Sequence, residues 1–546
     1  MQTQSYICGE STAPLLGQTI GQNLFETVQK FPNQDALVSV HQNYRATYQE
    51  FYDQTSALAK AFLSRGLKLG DRVGIWAPNR YEWVLVQYAT ARIGVIMVNL
   101  NPAYRKQELL FAINQSGISL VVSAIAYKSS EYQKMINEVA ENCYSLQGAV
   151  YLDSTDWENF IQEGETVSDA ELSEAESLTE FDQPINIQYT SGTTGFPKGV
   201  TLSHHNILNN GYFIARRLHY SELDRVCIPV PFYHCFGMVI GNLACTSHGA
   251  CMVIPNDSFD AALSLAAVEQ EKCTSLYGVP TMFIAELALE NFKQYDLSSL
   301  RTGVMAGSPC PVEIMKRVQS EMNMKDVTVC YGMTETSPVS TQTKIGTPLH
   351  KQVSTVGTVM EHLEIKIVDP ETGKVVPVGQ EGELCTRGYS VMLKYWNEPE
   401  ITAKVIDDAR WMHTGDVAIM DEEGYISISG RIKDLIIRGG ENISPKAVED
   451  FLYTHPKVMD VQVIGVPSEK YGEEIMAWVK LHHNVACTEA EMLAFCKNQI
   501  AHHSIPKYWK FVEGFPMTIS GKIRKVEMRE MAIIELGLQH LCVSRK

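Results

Sequence analysis

An α/β fold is predicted by three features of this 546-residue chain. Helix-period apolar runs alternate with strand-like runs from residue 47, Gly and Pro punctuate the joints, and the strand candidates are short and apolar. That alternation implies parallel sheets layered with helices. The length exceeds what one ordinary core accommodates, so more than one domain is expected.

Taken in order, TYQEFYDQTSALAKAFLSRG spaces Ala57, Leu58, Ala61 and Phe62 along one helical face and stops at Gly66. DRVGIWAP reads as a buried strand, YEWVLVQYATARIG as a helix, VIMVNLNP as a strand, QELLFAINQSG as a helix and ISLVVSAI as a strand. The pattern returns after residue 200 in CIPVPFYH, AALSLAAVEQEKC, TSLYGVP and RTGVMAG. Between the two series, residues 163–180 hold seven acids and no base, which reads as a solvated linker. From about 355 the segments STVGTVM, LEIKIVD, GELCTRG and YISISG predict a β-rich subdomain. After GRIKD, helix PKAVEDFLYTHP and strands VQVIGVP and IMAWVKLH predict a last, small α+β domain.

Bulk chemistry narrows the function classes. A net charge of −17 argues against a nucleic-acid or anionic-membrane partner, and no run of 18 apolar residues predicts a transmembrane segment. The thirteen cysteines form no CxxC pair and no Cys/His group at zinc spacing, and the N-terminal residues lack leader features. Reduced thiols and a cytoplasmic location are expected.

Residues 190–200, TSGTTGFPKGV, hold three glycines, three threonines, a serine and a lysine, a composition suited to a phosphate cradle. The stretch departs from GxxxxGK[ST], because Gly199 follows Lys198 where a Ser or Thr would hold magnesium. It lies between a strand-like run and LSHHNILNNGYFIARR, so the reading is strand, loop and helix N-terminus. A flexible surface turn is the competing reading. In YGMTETSP, Thr334 beside Glu335 offers oxygen ligands for Mg²⁺, or merely a solvated turn. His234 sits among aromatics in PFYHCFG, as a catalyst or as a core histidine. Asp416 in HTGD suits a ribose diol, with Arg431 at the end of a following strand. Gly439 and Gly440 suit close ligand approach or a bend, and Lys522 lies in a Gly-marked turn, ISGKIRK.

The order of these motifs says more than any one of them. YTSGTTGFPKGV, YGMTE, HTGD, GRIKDLIIRGGENISP and TISGKIRK together resemble the adenylate-forming superfamily of acyl-CoA synthetases, luciferases and adenylation domains, over roughly residues 20–530. PFYHCFGM, AGSPCP, GYSVMLKYWNEPE and RGGENISPKAVEDFL look most like medium-chain fatty acyl-CoA synthetases.

The resemblance implies a large ATP- and acyl-binding domain (1–430), a hinge (431–433) and a small mobile C-terminal domain (434–546). It implies an ATP-dependent acid–CoA ligase releasing AMP and pyrophosphate, with ATP, Mg²⁺ and coenzyme A as cofactor and co-substrates. The β- and γ-phosphates would meet Thr190, Ser191, Gly192, Thr193, Thr194, Gly195 and Lys198. Gly307, Ser308 and Pro309 would flank adenine, with Tyr331 against the ring and Gly332 beside it. Thr334 would meet the α-phosphate, Glu335 and Thr194 the metal, and Asp416 and Arg431 the ribose. Lys433 would be the pivot, Lys522 the catalytic lysine, and Gly439 and Gly440 the pantetheine path. His234, Phe236, Gly237, Met238 and Gly278 would line the acyl pocket. A medium-chain fatty acid is the expected substrate, with aryl or branched acids as competitors, and a homodimer is one assembly the family allows. A non-catalytic nucleotide-binding scaffold and a phosphate-loop kinase are the competing classes; intact candidate residues oppose the first and the missing GK[ST] the second.

Overall fold

A computed structural model describes residues 3–190, 197–308, 310–439, 441–497, 499–517 and 523–544. The fold is mixed α/β, as the alternation predicts. Its chain divides into two compact units, one of residues 7–365 and 386–412, the other of residues 1–6, 366–385 and 413–546.

The larger unit holds two sheets. One runs Lys394–Tyr395, Lys198–Ser203, Pro184–Thr190, Ile96–Asn99, Arg72–Trp76, Leu120–Ser123, Gly148–Tyr151. The other runs Thr358–Val359, Val339–Gln342, Asp326–Gly332, Thr302–Ala306, Ser275–Gly278, Arg225–Cys227, Cys251–Ile254, Asp35–Ser39, Tyr44–Thr47. The inner strands of both sheets pair in parallel, for example Gly278 with Met305 and Ala306 with Cys330. Such strands are covered on both faces, hence their unbroken apolar runs.

Local chemistry starts and stops these elements where expected. Helix Tyr48–Ser64 begins on Thr47, whose hydroxyl accepts from the Glu50 amide while Glu50 caps back. Leu58, Ala61 and Phe62 on its inner face are fully buried. Helix Lys106–Ser116 ends on Gly117 at φ 70°, the left-handed conformation that glycine adopts without a Cβ penalty.

Two expectations are corrected. Residues 163–180 are not a linker: they include helix Asp169–Ser177, started by a Ser168–Glu171 capping box, with Leu172 buried. Gly164 sits so close to helix Tyr48–Ser64 that a Cβ would lie 2.7 Å from the Ala61 nitrogen. The acids find cations instead of solvent alone, as in Lys60–Asp169 and Arg92–Glu176. Secondly, a strand, Lys198–Ser203, separates the 190–198 loop from the helix, which begins only at His204. That strand pairs on both edges, and Val200, Thr201 and Leu202 are fully buried.

In the smaller unit, hairpin Met412–Met420 and Ile426–Arg431 belongs to the predicted β-rich region. A further sheet runs Glu441–Ile443, Ile436–Arg438, Gly472–Leu481, Val458–Ser468, with Tyr508–Phe511 also paired to Gly472–Leu481. One cluster packs Val448, Leu452 and Met492 of two helices on Val461, Val463 and Val479. A second packs Met528 and Ala532 on Val466, Met476 and Trp478. This is the α+β arrangement expected of the C-terminal region.

Candidate active site

Parallel strands gather ligand-binding groups at their carboxyl ends, where loops leave the sheet. Three predicted motifs arrive at one such edge. Gly278 ends strand Ser275–Gly278, Gly307 and Ser308 follow Thr302–Ala306, and Tyr331 and Gly332 end Asp326–Gly332. These strands are adjacent in one sheet. Gly307 has φ 92° and, like Ser308, is exposed; Pro309 lies outside the described residues. Register shifts between Tyr331 and Gly332, and a Cβ on Gly332 would stand 1.7 Å from the Pro338 carbonyl oxygen. Only glycine fits there.

The turn after this bulge, Thr334–Thr336, is closed by the Thr336 hydroxyl, which accepts from the Met333 amide at 3.0 Å. It presents Thr334 and Glu335, both partly exposed. The Tyr395 hydroxyl donates to Glu335 Oε1 at 2.8 Å, and the Met392 amide donates to the Glu335 carbonyl at 2.9 Å. Burial first, then the Glu335 carboxylate, holds the Tyr395 phenol far above its usual range, so it remains a donor. The Lys198 ammonium lies 5.1 Å from the centre of the same ring, within cation–π range. Tyr395 thus joins the Lys198 and Glu335 motifs, although 137 residues part those two in sequence. Sequence reasoning missed Tyr395; its only signal was its place in GYSVMLKYWNEPE.

Thr190 and Lys198 are cross-strand partners, so the loop between them closes an antiparallel pair. Ser191, Gly192, Thr193, Thr194 and Gly195 lie outside the described residues. Carboxylate and hydroxyl oxygens at Glu335 and Thr334 are the donor class Mg²⁺ prefers, so the residues present fit that ion.

His234 packs its ring on Tyr233 at 4.2 Å between centroids, and its carbonyl accepts from Met238. The next segment, Phe236–Leu243, is a π-helix, a rare form that recurs at functional sites. It carries Phe236, whose ring lies 5.9 Å from that of Tyr277, and buried Met238. Gly237 opens no space towards the chain before it: a Cβ there would lie 2.5 Å from the Pro231 carbonyl oxygen. Gly278 packs tightly on Phe283: a Cβ there would lie only 3.0 Å from the Phe283 ring.

In the smaller unit, Asp416 and Arg431 are cross-strand partners joined by an ion pair of 3.0 Å. Asp416 is buried and Arg431 exposed, so the arginine ties the carboxylate in place while retaining reach. Lys433 is exposed on the turn Ile432–Asp434. Gly439, at φ 63°, donates its amide to the Tyr471 carbonyl at 2.8 Å, beside strand Ile436–Arg438. Gly440 and Lys522 lie outside the described residues.

Residues 24–396 match the model of the AMP-binding enzymes, and residues 447–522 that of the AMP-binding enzyme C-terminal domain. The chain is 46% identical to YngI of Bacillus subtilis (strain 168), over 95% of this chain and 98% of that one. It is 44% identical to the Danio rerio protein named medium-chain acyl-CoA ligase ACSF2, mitochondrial, over 98% of this chain and 92% of that one. The structure of the anthranilate CoA ligase AuaEII with anthranoyl-AMP superposes with a TM-score of 0.85 at 25% identity, over 96% of this chain and 99% of that one.

This chain belongs to the AMP-binding enzyme family. Its activity is that of an acid–CoA ligase of the AMP-forming type.

Proposed function

We propose that the acid is a medium-chain fatty acid, activated as an acyl-adenylate and then passed to the CoA thiol. The observation that carries the catalytic part of this reading is the Lys198–Tyr395–Glu335 contact, which gathers a phosphate-type cation and a metal-type carboxylate at one strand end. The medium-chain assignment is supported by the name of the zebrafish relative and by an apolar, uncharged set around the π-helix.

In this reading the carboxylate attacks the α-phosphorus of ATP and the bond to pyrophosphate breaks. Two anions must meet, so catalysis is positioning and charge neutralisation. Residues 190–198 hold the departing phosphates, Thr334 the α-phosphate, and Gly307, Ser308, Pro309, Tyr331 and Gly332 the adenine. Asp416 and Arg431 hold the ribose, and His234 steadies the acid's carboxylate beside the pocket of Phe236, Met238 and Gly278. A magnesium ion held by Glu335 and Thr194 would supply positive charge to the phosphates. Lys522 bridges carboxylate and α-phosphate in the first half-reaction. The C-terminal region then turns about Lys433, and Gly439 and Gly440 border the path of pantetheine.

Acid-dependent exchange of labelled pyrophosphate into ATP, run with acids from acetate to stearate and with benzoate, tests the proposal. Exchange should peak near octanoate. A peak at acetate, stearate or benzoate would replace the medium-chain assignment.

A further inference from the structure

The cysteine spacing predicts no zinc group, yet the fold gathers three metal-ligating side chains out of sequence order. Glu383 and Cys385 stand two apart on strand Gly382–Gly388, so their side chains share a face. The neighbouring strand, Met412–Met420, brings His413 to them. Cys385 Sγ lies 3.5 Å from His413 Nδ1, and Nδ1 lies 2.8 Å from Glu383 Oε2. All three ligand atoms lie within 4.8 Å of one another.

We propose that Glu383, Cys385 and His413 form a binding site for a zinc-class divalent cation, separate from the magnesium ligands of the ATP site. Tetrahedral zinc with ordinary Zn–S and Zn–N bonds places S and N about 3.5 Å apart, the separation found here. The Nδ1–Oε2 hydrogen bond occupies the place a cation would take; binding replaces it, with neutral His413 carrying its ring proton on Nε2 and the Cys385 thiol giving up its proton. Thiolate, imidazole and carboxylate in one group favour zinc and its neighbours over magnesium. Cys385 is fully buried and Glu383 nearly so, while the His413 side chain is 34% exposed, leaving solvent to complete the coordination.

The carboxylate is already oriented from behind, since Glu383 Oε1 accepts the Gly415 amide at 3.1 Å. The Thr414 hydroxyl donates to the Leu384 carbonyl and accepts from the Asp416 amide. A cation here would therefore pull on the turn that ends in Asp416 and slow adenylation. That consequence rests on the ribose role of Asp416; the binding itself does not.

The test is titration of the full-length, chelator-treated protein with Co²⁺ and Zn²⁺. One equivalent of Co²⁺ should give tetrahedral visible bands and a thiolate charge-transfer band in the near ultraviolet. Cys385→Ser should remove the charge-transfer band, and His413→Gln and Glu383→Gln should weaken Zn²⁺ binding at least ~10²-fold, with Cys8→Ser as the unaffected control. No saturable one-equivalent binding, or a charge-transfer band that survives Cys385→Ser, would overturn the site. If Cys385→Ser fails to fold, unchanged affinity in folded His413→Gln would overturn it equally. Zn²⁺ bound at full affinity with undiminished pyrophosphate exchange would keep the site and remove the coupling to Asp416.

Discussion

Tyr395 donates its hydroxyl to Glu335 and offers its ring to Lys198, so it positions two residues with different proposed tasks. Tyr395→Phe keeps the ring and removes the donor. Pyrophosphate exchange should fall ~10- to 100-fold and need more Mg²⁺ for half-saturation, at little change in Tm. A uniform loss with unchanged Mg²⁺ dependence would point to a structural role alone. Glu286 makes a different kind of prediction. Among the described residues neither of its carboxylate oxygens has a hydrogen-bond partner, and burial raises its pKa well above the ordinary 4.5. The folded state therefore binds the proton more tightly than the unfolded one. The stability this acid contributes is complete below about 4.5 and is lost as pH rises towards the folded value. Glu286→Gln removes that dependence, so its Tm advantage over the parent should grow between about pH 5 and pH 8. A constant Tm difference across that range would refute it.

At the scale of elements, helices with strong period and caps were readable, including Tyr48–Ser64 and Lys106–Ser116. Residues 163–180 were not, because charge suggested solvation while a capping box and one buried leucine were enough to fold a helix. The strand Lys198–Ser203 was hidden too: its pairing on both edges is long-range information that no local pattern carries. Candidate site residues were legible through motif order, whereas Tyr395 and the Glu383–Cys385–His413 group exist only once strands align. The bulge at Gly332 shows how tightly one element sets another. Gly332→Ala should cost about 1–3 kcal/mol in denaturant unfolding and abolish most pyrophosphate exchange, because the Pro338 carbonyl must move. Parental exchange in that variant would show that the Thr334–Thr336 turn tolerates the shift.

For the whole molecule, the proposed two-step cycle separates the half-reactions experimentally. Lys522→Ala should lower adenylation by at least ~10²-fold yet spare thioester formation from supplied acyl-adenylate. Equal loss of both would contradict its role. Lys433→Pro, which restricts φ at the proposed pivot, should do the reverse: exchange persists while CoA thioester formation drops. Both are read with the same pair of assays on the full chain, so the two variants serve as controls for each other.

The antiparallel pairing of Thr190 with Lys198 has a consequence for how this enzyme can change. An anion seated at the start of a helix borrows its grip from the aligned peptide dipoles behind it. If residues 190–198 hold the departing phosphates as proposed, the paired strands that flank them add no such reserve, so hydroxyls, amides and one ammonium would supply the hold themselves. On that reading, grip strength, and with it the off-rate of the leaving pyrophosphate, would be adjustable one side chain at a time on a fixed pair of strands.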